Sequence, residues 1–203
     1  MQQPLIQPEA LQPGQQAKRH QILKATRKLL AQRGFHGFSV KQLALEAGVA
    51  AGTIYLYFRD REDLIEQLHM EIIHDIADVA FLKWDESEPA EQRYRGLCHQ
   101  IWDYCIAHPD TLLCKGQFEQ LPPDVLRSQY TSAKTLFAPL SELFEEGRQS
   151  GELLNLPNDA LFCISVDTFW PLARSHNLGM LTVDEALLEQ VITGTWRGIS
   201  QAR

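Results

Sequence analysis

Apolar side chains recur at steps of three and four residues along most of the chain, and this spacing is the strongest constraint on its fold. The first such segment places these residues on one side of a helix with 3.6 residues per turn: Ile22, Leu23, Thr26, Leu29 and Leu30. No run alternates apolar and polar residues for long enough to predict a sheet. The sequence therefore predicts an all-α protein of about nine helices.

Glycine, proline and capping residues mark where these helices begin and end. Gly34 ends the first helix, and the spacing of Ser39 and Gln42 predicts a capping box that opens the second. Gly48 supplies the turn before a third helix, and Asp60 caps a fourth. Five more helices are predicted: around Leu97–Cys105, over Thr111–Gln120, from Pro122 to Gly151, from Asn158 through Leu172, and from near Asp184.

Residues 42–58 have the spacing of a helix-turn-helix. Two crossing helices need a small residue at the crossing, which is Ala44, and a residue that tolerates positive φ at the turn, which is Gly48. Ile54 follows at the position where an apolar side chain anchors the second helix in the core. On spacing alone, a purely structural helical corner fits as well.

Charge is divided unevenly along the chain. The 203 residues carry a formal net charge of −7, which taken alone argues against binding to nucleic acid. Residues 18–61, however, hold nine basic and two acidic side chains, a net charge of +7. Residues 62–203 hold ten basic and 23 acidic side chains, a net charge of −13. Because the basic block coincides with the helix-turn-helix, this end of the chain is predicted to bind nucleic acid.

Side chains suited to phosphate oxygens follow the turn. The second helix of the motif carries the hydroxyl groups of Thr53, Tyr55 and Tyr57, and two tyrosines two residues apart cannot both face the core. Arg61 lies at the start of the fourth helix, where free N–H groups and the helix dipole also attract phosphate.

Residues 19–68 resemble, in order and spacing, the DNA-binding domain of the TetR family of transcriptional repressors. The matching residues are Ile22-Leu23, Leu29, Gly34-Phe35, Ser39-Val40, Leu43-Ala44, Ala47-Gly48-Val49, Gly52-Thr53-Ile54-Tyr55, Tyr57-Phe58 and Leu64. Later in the chain, Glu146-Gly147 followed by Gly151-Glu152-Leu153 resembles a pattern frequent in the family's effector domain.

Four positions depart from the usual pattern of the family. Thr26 replaces a common alanine, Leu30 a common phenylalanine and Phe38 a common threonine, which affects the packing of the first helix and the turn after it. Arg61 stands where a phosphate-contacting lysine is usual.

The resemblance implies a role for each matching position on operator DNA. It places Ala50, Ala51, Gly52 and Thr53 at the edge of the major groove, and it makes Tyr55, Tyr57 and Arg61 contacts to the DNA backbone, with Lys41 as a further candidate. The helix lacks the Arg, Asn and Gln side chains that form bidentate pairs with guanine or adenine. We therefore expect direct readout by methyl groups, supplemented by backbone positioning and DNA shape.

The chain is predicted to have three parts. Residues 1–17, with six glutamines and three prolines, are a predicted disordered arm. Residues 18–61 are the predicted DNA-binding domain, and residues 62–203 are a larger helical domain for effector binding and dimerisation. The resemblance implies a homodimeric repressor that binds a palindromic operator on double-stranded DNA and responds to a small-molecule effector.

Candidate residues for the larger domain come from its aromatic and small side chains. A largely apolar effector is expected to contact Trp102, Cys105, Phe118, Phe137, Phe169 and Trp170. The dimer interface is expected to involve Leu161, Leu172, Leu187, Val191, Gly194 and Gly198, because the last two glycines permit close backbone approach.

Two other classes of function are compatible with parts of the sequence. A thiol-based redox regulator using Cys98 or Cys105 is an alternative, although two helical turns separate these cysteines too far for a direct disulfide. A helical enzyme is the weaker alternative, since the chain has no Gly-x-Ser-x-Gly elbow, phosphate-binding glycine loop or His-Glu-x-x-His pair. No metal or cofactor is expected. Since no apolar run spans a bilayer and no signal peptide is found, a cytoplasmic protein without membrane contact is expected.

Overall fold

The computed structural model describes residues 12–201, and the regular elements in that range are helical. In chain order they are α1 (Pro13–Arg33), α2 (Val40–Glu46), α3 (Ala51–Tyr57), α4 (Arg61–Ala80), α5 (Ala90–Ala107), α6 (Pro109–Phe118), α7 (Pro123–Leu136), α8 (Ala138–Ser150), α9 (Asn158–Ile164), α10 (Phe169–Asn177) and α11 (Glu185–Ile199). A 3-10 turn, Val166–Thr168, separates α9 from α10. The predicted all-α fold is confirmed.

The described residues form two compact units. The first, called the head below, comprises residues 12–72 and 113–129, and the second, called the body, comprises residues 73–112 and 130–201. Helices α4, α6 and α7 each continue along the chain from one unit into the other. This division differs from the predicted boundary after residue 61, because the end of α6 and the start of α7 pack into the head through contacts that are distant in sequence.

The first helix begins earlier than the sequence predicts. Pro13 occupies its first turn, where a fixed φ and a missing N–H are tolerated, and the Gln12 N–H donates to Gln15 Oε1 at 3.0 Å. Residues 13–17 are therefore helical, which corrects their assignment to a disordered arm. Residues 1–11 of that arm lie outside the described residues. The helix ends at Gly34, whose φ of 74° is left-handed.

The helix-turn-helix follows the predicted spacing. The Ser39–Gln42 capping box forms, with the Gln42 N–H donating to Ser39 Oγ at 3.2 Å and the Ser39 N–H donating to Gln42 Oε1 at 2.8 Å. Gly48 has a φ of 61°, and both Ala44 and Ile54 are buried. The predicted small residue, turn glycine and apolar anchor therefore hold α2 against α3.

Two helices that the sequence predicts as continuous are divided. The predicted helix from Pro122 to Gly151 is interrupted at Phe137, and the next is interrupted at Ser165. Pro139 lies in the first turn of α8, and in a continuous helix its ring would clash with the carbonyl of Thr135, so it ends α7 and begins α8. Pro171 lies in the first turn of α10, but the carbonyl four residues before it belongs to Asp167, beyond the end of α9, so this proline does not account for the break at Ser165. With both breaks, the described residues contain more than nine helices.

The body packs around the buried face of α5. Tyr94 is fully buried, its ring lies 5.2 Å from that of Trp196, and its hydroxyl donates to Thr195 Oγ1 at 2.8 Å. The glycine pattern noted in the sequence has a packing role here. A Cβ on Gly147 would overlap the side chain of Leu153, which is fully buried, and Gly151 ends α8 with a φ of 74°.

Within residues 12–201, no helix combines the length and the apolar character that a membrane-spanning helix requires.

Candidate nucleic-acid interface

The start of α3 presents small residues at the surface of the head. Ala50 and Gly52 are exposed, Ala51 and Thr53 are half-buried, and the Ile54 side chain points into the core. Ala50 occupies the N-cap position without a side chain that could accept a hydrogen bond. This helix end is therefore open and sterically uncluttered, as entry into a groove requires.

The two tyrosines of α3 have opposite environments. Tyr55 is 51% exposed, whereas Tyr57 is only 7% exposed and its ring lies 6.4 Å from that of Phe58. The expectation that at least one of them lies at the surface is confirmed. Tyr55 is exposed enough to reach a DNA phosphate, whereas the ring of Tyr57 packs in the core of the head.

Arg61 is engaged within the head. Its Nε donates to the Phe35 carbonyl at 2.9 Å and its Nη1 donates to the Phe38 carbonyl at 2.6 Å, while Nη2 also donates to the Phe35 carbonyl. The guanidinium carbon lies 4.1 Å from the centroid of the Phe38 ring. Partial burial lowers the pKa of the Arg61 side chain. The predicted contact from Arg61 to phosphate is therefore not prepared in this structure.

The first turn of α4 is also occupied by groups of the protein itself. The Asp63 N–H donates to Asp60 Oδ1 at 2.8 Å, which confirms Asp60 as the cap. The Asp63 carboxylate accepts from the Arg59 N–H at 2.7 Å and from Gln67 Nε2 at 3.1 Å. Since carboxylates already stabilise this helix end, it offers less to an external phosphate than the sequence predicts.

Only part of the basic block has free charge. Lys28 pairs with Glu46 at 2.6 Å, and Arg19 pairs with Glu71 at 3.2 Å. Lys24, Arg33 and the predicted Lys41 are exposed. None of these three has a carboxylate partner among residues 12–201. Lys24 and Arg33 were missed as candidates, although the lack of an acidic residue within four positions of either is visible in the sequence.

Comparison with known proteins identifies the family. A model described as bacterial regulatory proteins, tetR family, matches residues 22–68, and one described as tetracyclin repressor-like, C-terminal domain, matches residues 89–200. An HTH-type transcriptional regulator of Haemophilus influenzae is 32% identical over 183 residues, which cover 89% of this chain and 95% of the relative. The chain belongs to the TetR family.

Solved structures agree with this assignment. A TetR-family regulator from Vibrio parahaemolyticus is 33% identical with a TM-score of 0.79, covering 91% of this chain and 100% of that one. The regulator FadR of Bacillus subtilis, solved in complex with stearoyl-CoA, has a TM-score of 0.74 at 23% identity, covers 89% of this chain and 98% of its own, and shares the fold. TetR-family members are DNA-binding transcriptional regulators, which are not enzymes.

The six candidate effector contacts are divided between the two units. Phe118 belongs to the head, where its ring stacks on that of His69 at 4.2 Å. In the body, Trp102 meets the edge of His176 at 5.7 Å, and Phe137 meets Phe81 at 5.6 Å. Cys105 and Phe169 are fully buried, and Trp170 is half-buried. Phe118 is thus a core residue of the head.

The candidate dimer residues divide by exposure. Gly194 and Gly198 are exposed on α11, and no atom lies within 4 Å of the place that a Cβ on Gly194 would take. Leu172, Leu187 and Val191 are half-buried. Leu161 is fully buried in its own protomer, so it has no surface left for a partner, and its assignment to the interface is corrected. Its neighbour Ile164, which the sequence did not single out, is 41% exposed.

The cysteines of the redox alternative are in the core. Cys98 and Cys105 are fully buried, and burial raises the pKa of the Cys98 thiol to about 12. Thiolates, not thiols, react with oxidants, so this environment disfavours a sensing role. Within residues 12–201 no cluster of His, Cys, Asp and Glu side chains could hold a metal ion.

Proposed function

We propose that this chain is a homodimeric, ligand-responsive transcriptional repressor whose paired heads bind a palindromic operator. A small, largely apolar molecule bound in the C-terminal domain releases it from the DNA. The observation that carries the proposal is the open start of α3, where Ala50 and Gly52 are exposed while Ile54 anchors the helix in the core. Lys41, near the start of α2, adds an exposed positive charge to the head.

The reading surface comprises Lys41, Ala50, Ala51, Gly52, Thr53 and Tyr55. Lys41 and Tyr55 contact phosphates and fix the register of the head on the duplex. The methyl groups of Ala50, Ala51 and Thr53 contact thymine methyls in the major groove. Because no side chain of α3 forms bidentate pairs with bases, DNA shape contributes much of the specificity.

The surface is tested on an operator duplex selected by the wild-type chain from a random library. Lys41→Gln is expected to lower the slope of log K against log salt by about one, because one phosphate contact is lost. The matched control is Lys83→Gln, which removes an exposed lysine from the body. Equal slopes for wild type and Lys41→Gln would remove Lys41 from the surface. Failure of the wild type to enrich any sequence would refute operator binding.

The proposed dimer interface includes the exposed glycines of α11, Gly194 and Gly198. A side chain at Gly194 fits the isolated protomer, since the space beside it is open, but it would separate two copies that meet there. Gly194→Arg is therefore expected to give a folded monomer in sedimentation equilibrium. The control is Gly96→Arg, an exposed helical glycine with equally open surroundings on α5, which should stay dimeric. A dimeric Gly194→Arg variant would place the interface elsewhere.

The effector is proposed to contact Trp102, Cys105, Phe137, Phe169 and Trp170 in the body. Four aromatic rings and one thiol favour an apolar molecule over a highly charged one. A thermal-shift screen would use neutral, cationic and acidic hydrophobic compounds, with stearoyl-CoA among the acidic ones because FadR was solved with it. A stabilising compound should also release the selected operator. Stabilisation without release would contradict the repressor mechanism.

A further inference from the structure

Side chains of two other helices, α4 and α6, form hydrogen bonds with the turn between α1 and α2. This turn, residues 34–38, begins at Gly34 and carries the buried rings of Phe35 and Phe38. Both hydrogen-bonding groups of the Phe35 residue backbone are taken by side chains distant in sequence. Arg61 binds its carbonyl and Gln117 binds its N–H.

The Arg61 contact uses the fork of the guanidinium. Nε donates to the Phe35 carbonyl at 2.9 Å and Nη1 donates to the Phe38 carbonyl at 2.6 Å. The side chain therefore bridges two carbonyls of the turn. The face of the same group lies over the Phe38 ring at 4.1 Å. An ammonium group is a compact point charge, so it lacks both the fixed fork that reaches the two carbonyls and the planar face that lies over the ring.

The Gln117 contact approaches from the end of α6. Its Oε1 accepts from the Phe35 N–H at 2.7 Å and from Gln120 Nε2 at 3.1 Å. A Cβ on Gly34 would lie 3.2 Å from the same oxygen, so glycine gives room to the contact as well as the left-handed φ. Cys114, one turn earlier, directs its Sγ to the Arg27 carbonyl at 3.4 Å, which places this end of α6 along α1.

We propose that Arg61 and Gln117 are positioning residues that clamp the Phe35 backbone from α4 and α6, and that Arg61 acts on DNA binding through this turn and not through a phosphate. The proposal rests on the proposed operator binding. The clamp holds α1 and α2 in the arrangement that presents α3 to the groove. Losing it lowers the fraction of heads that are competent to bind, without removing any contact to DNA.

Arg61→Lys and Arg61→Gln separate the two roles of this position. A phosphate contact would survive in Arg61→Lys, which keeps the charge, whereas the clamp is lost in both variants. We expect both to bind the selected operator about tenfold more weakly than wild type, as the loss of two or three hydrogen bonds predicts. We expect the salt slope of Arg61→Gln to match that of wild type, while Lys41→Gln lowers it. Wild-type affinity in Arg61→Lys, or a slope lowered by about one in Arg61→Gln, would overturn the proposal.

Gln117 is tested by hydrogen exchange at the Phe35 amide, which needs no DNA. Gln117→Met removes the acceptor at similar volume and should speed exchange there by roughly two- to tenfold, and Gln117→Glu, which keeps an acceptor oxygen, should restore protection. Glu119→Met, which changes an exposed residue at the same helix end, is the matched control. Unchanged exchange in Gln117→Met would refute the clamp. Faster exchange with wild-type operator affinity would refute the positioning role, and a wild type that selects no operator would refute the proposed function itself.

Discussion

The starts of two helices in the head, α3 and α4, differ in how their N–H groups are satisfied. The start of α4 is filled by the protein itself, with Asp60 as its cap, Asp63 bound to neighbouring N–H groups and Arg61 turned onto the α1–α2 turn. The start of α3 has Ala50 at its cap position and small exposed residues behind it. A helix start whose N–H groups are bonded to side chains of the same protein stabilises the fold. A helix start without a capping side chain can instead bind a ligand.

The difference also shows that the net charge of a segment does not tell how many of its charged side chains lack a partner within the protein. The basic block holds nine cations, yet Arg19, Lys28, Arg59 and Arg61 are each committed to a partner within the head. The charge that remains for DNA lies on side chains such as Lys41, and its position is set by the fold rather than by the composition.

The largest effect on operator affinity is expected when an aspartate cap, like that of α4, is placed at the start of α3. Ala50→Asp places a carboxylate at the open helix start, where it would face phosphates, and like charges brought together at an interface cost several kcal/mol. We expect operator affinity to fall by about a hundredfold or more. The same variant should gain about 1 kcal/mol in free energy of unfolding from the new cap.

Denaturant unfolding and fluorescence anisotropy measure these two effects on one sample. Ala50→Asn is the control, since it caps the helix without adding charge and should gain similar stability with a smaller loss of affinity. If Ala50→Asp bound the operator as tightly as wild type, the open start of α3 would not face DNA.

A smaller effect is expected when the cap of α4 is removed. Asp60→Ala should lower the free energy of unfolding by about 1 kcal/mol, because the Asp63 N–H loses its acceptor. The salt slope of operator binding should not change, since this helix start contributes no free positive charge to the DNA. Asp78→Ala, an exposed acidic residue farther along α4, is the control and should be nearly neutral. A changed slope in Asp60→Ala would mean that the α4 start contacts phosphate after all.

The smallest effect concerns the buried part of α4. His69 Nδ1 pairs with Gln129 Oε1 at 2.6 Å, and burial lowers the pKa of this imidazole below its ordinary 6.5. Below about pH 6.5 the unfolded chain takes up a proton that the folded head resists, so the stability contributed by a neutral His69 is complete above that pH and declines as the pH falls. Urea unfolding between pH 7 and pH 5 should show this decline in wild type and a weaker one in His69→Gln.

The exposed histidine on the same helix serves as the comparison. His74→Gln retains His69 and should keep the wild-type decline in stability. Identical pH dependence in wild type and His69→Gln would contradict the buried, neutral state of His69.

Local chemistry accounts for what could be predicted from the sequence. The Ser39–Gln42 box, the turn at Gly48 and the buried Ile54 depend on neighbours within a few residues, and all three are confirmed. The same local reasoning overlooked Pro139, because the apolar period continues across the break between α7 and α8. A proline inside an apolar stretch is itself a local signal for such a break.

Contacts between distant segments account for what could not be predicted. The residues near Arg61 in sequence do not predict its hydrogen bonds to the carbonyls of Phe35 and Phe38. Likewise, the residues near Phe118 do not predict that its ring stacks on that of His69. The exposure of a side chain also depends on contacts that the local sequence does not predict. Tyr55 and Tyr57 are equivalent in the sequence until the packing of α3 decides that only Tyr55 is exposed.

The most direct test of the account is a crystal structure of the dimer bound to the selected operator. We predict that the start of α3 enters the major groove with the methyl groups of Ala50, Ala51 and Thr53 against base edges, that Lys41 and Tyr55 lie on phosphates, and that Arg61 still holds the Phe35 and Phe38 carbonyls. Several bidentate base contacts from α3, or an Arg61 side chain released from the turn and bound to phosphate, would contradict it.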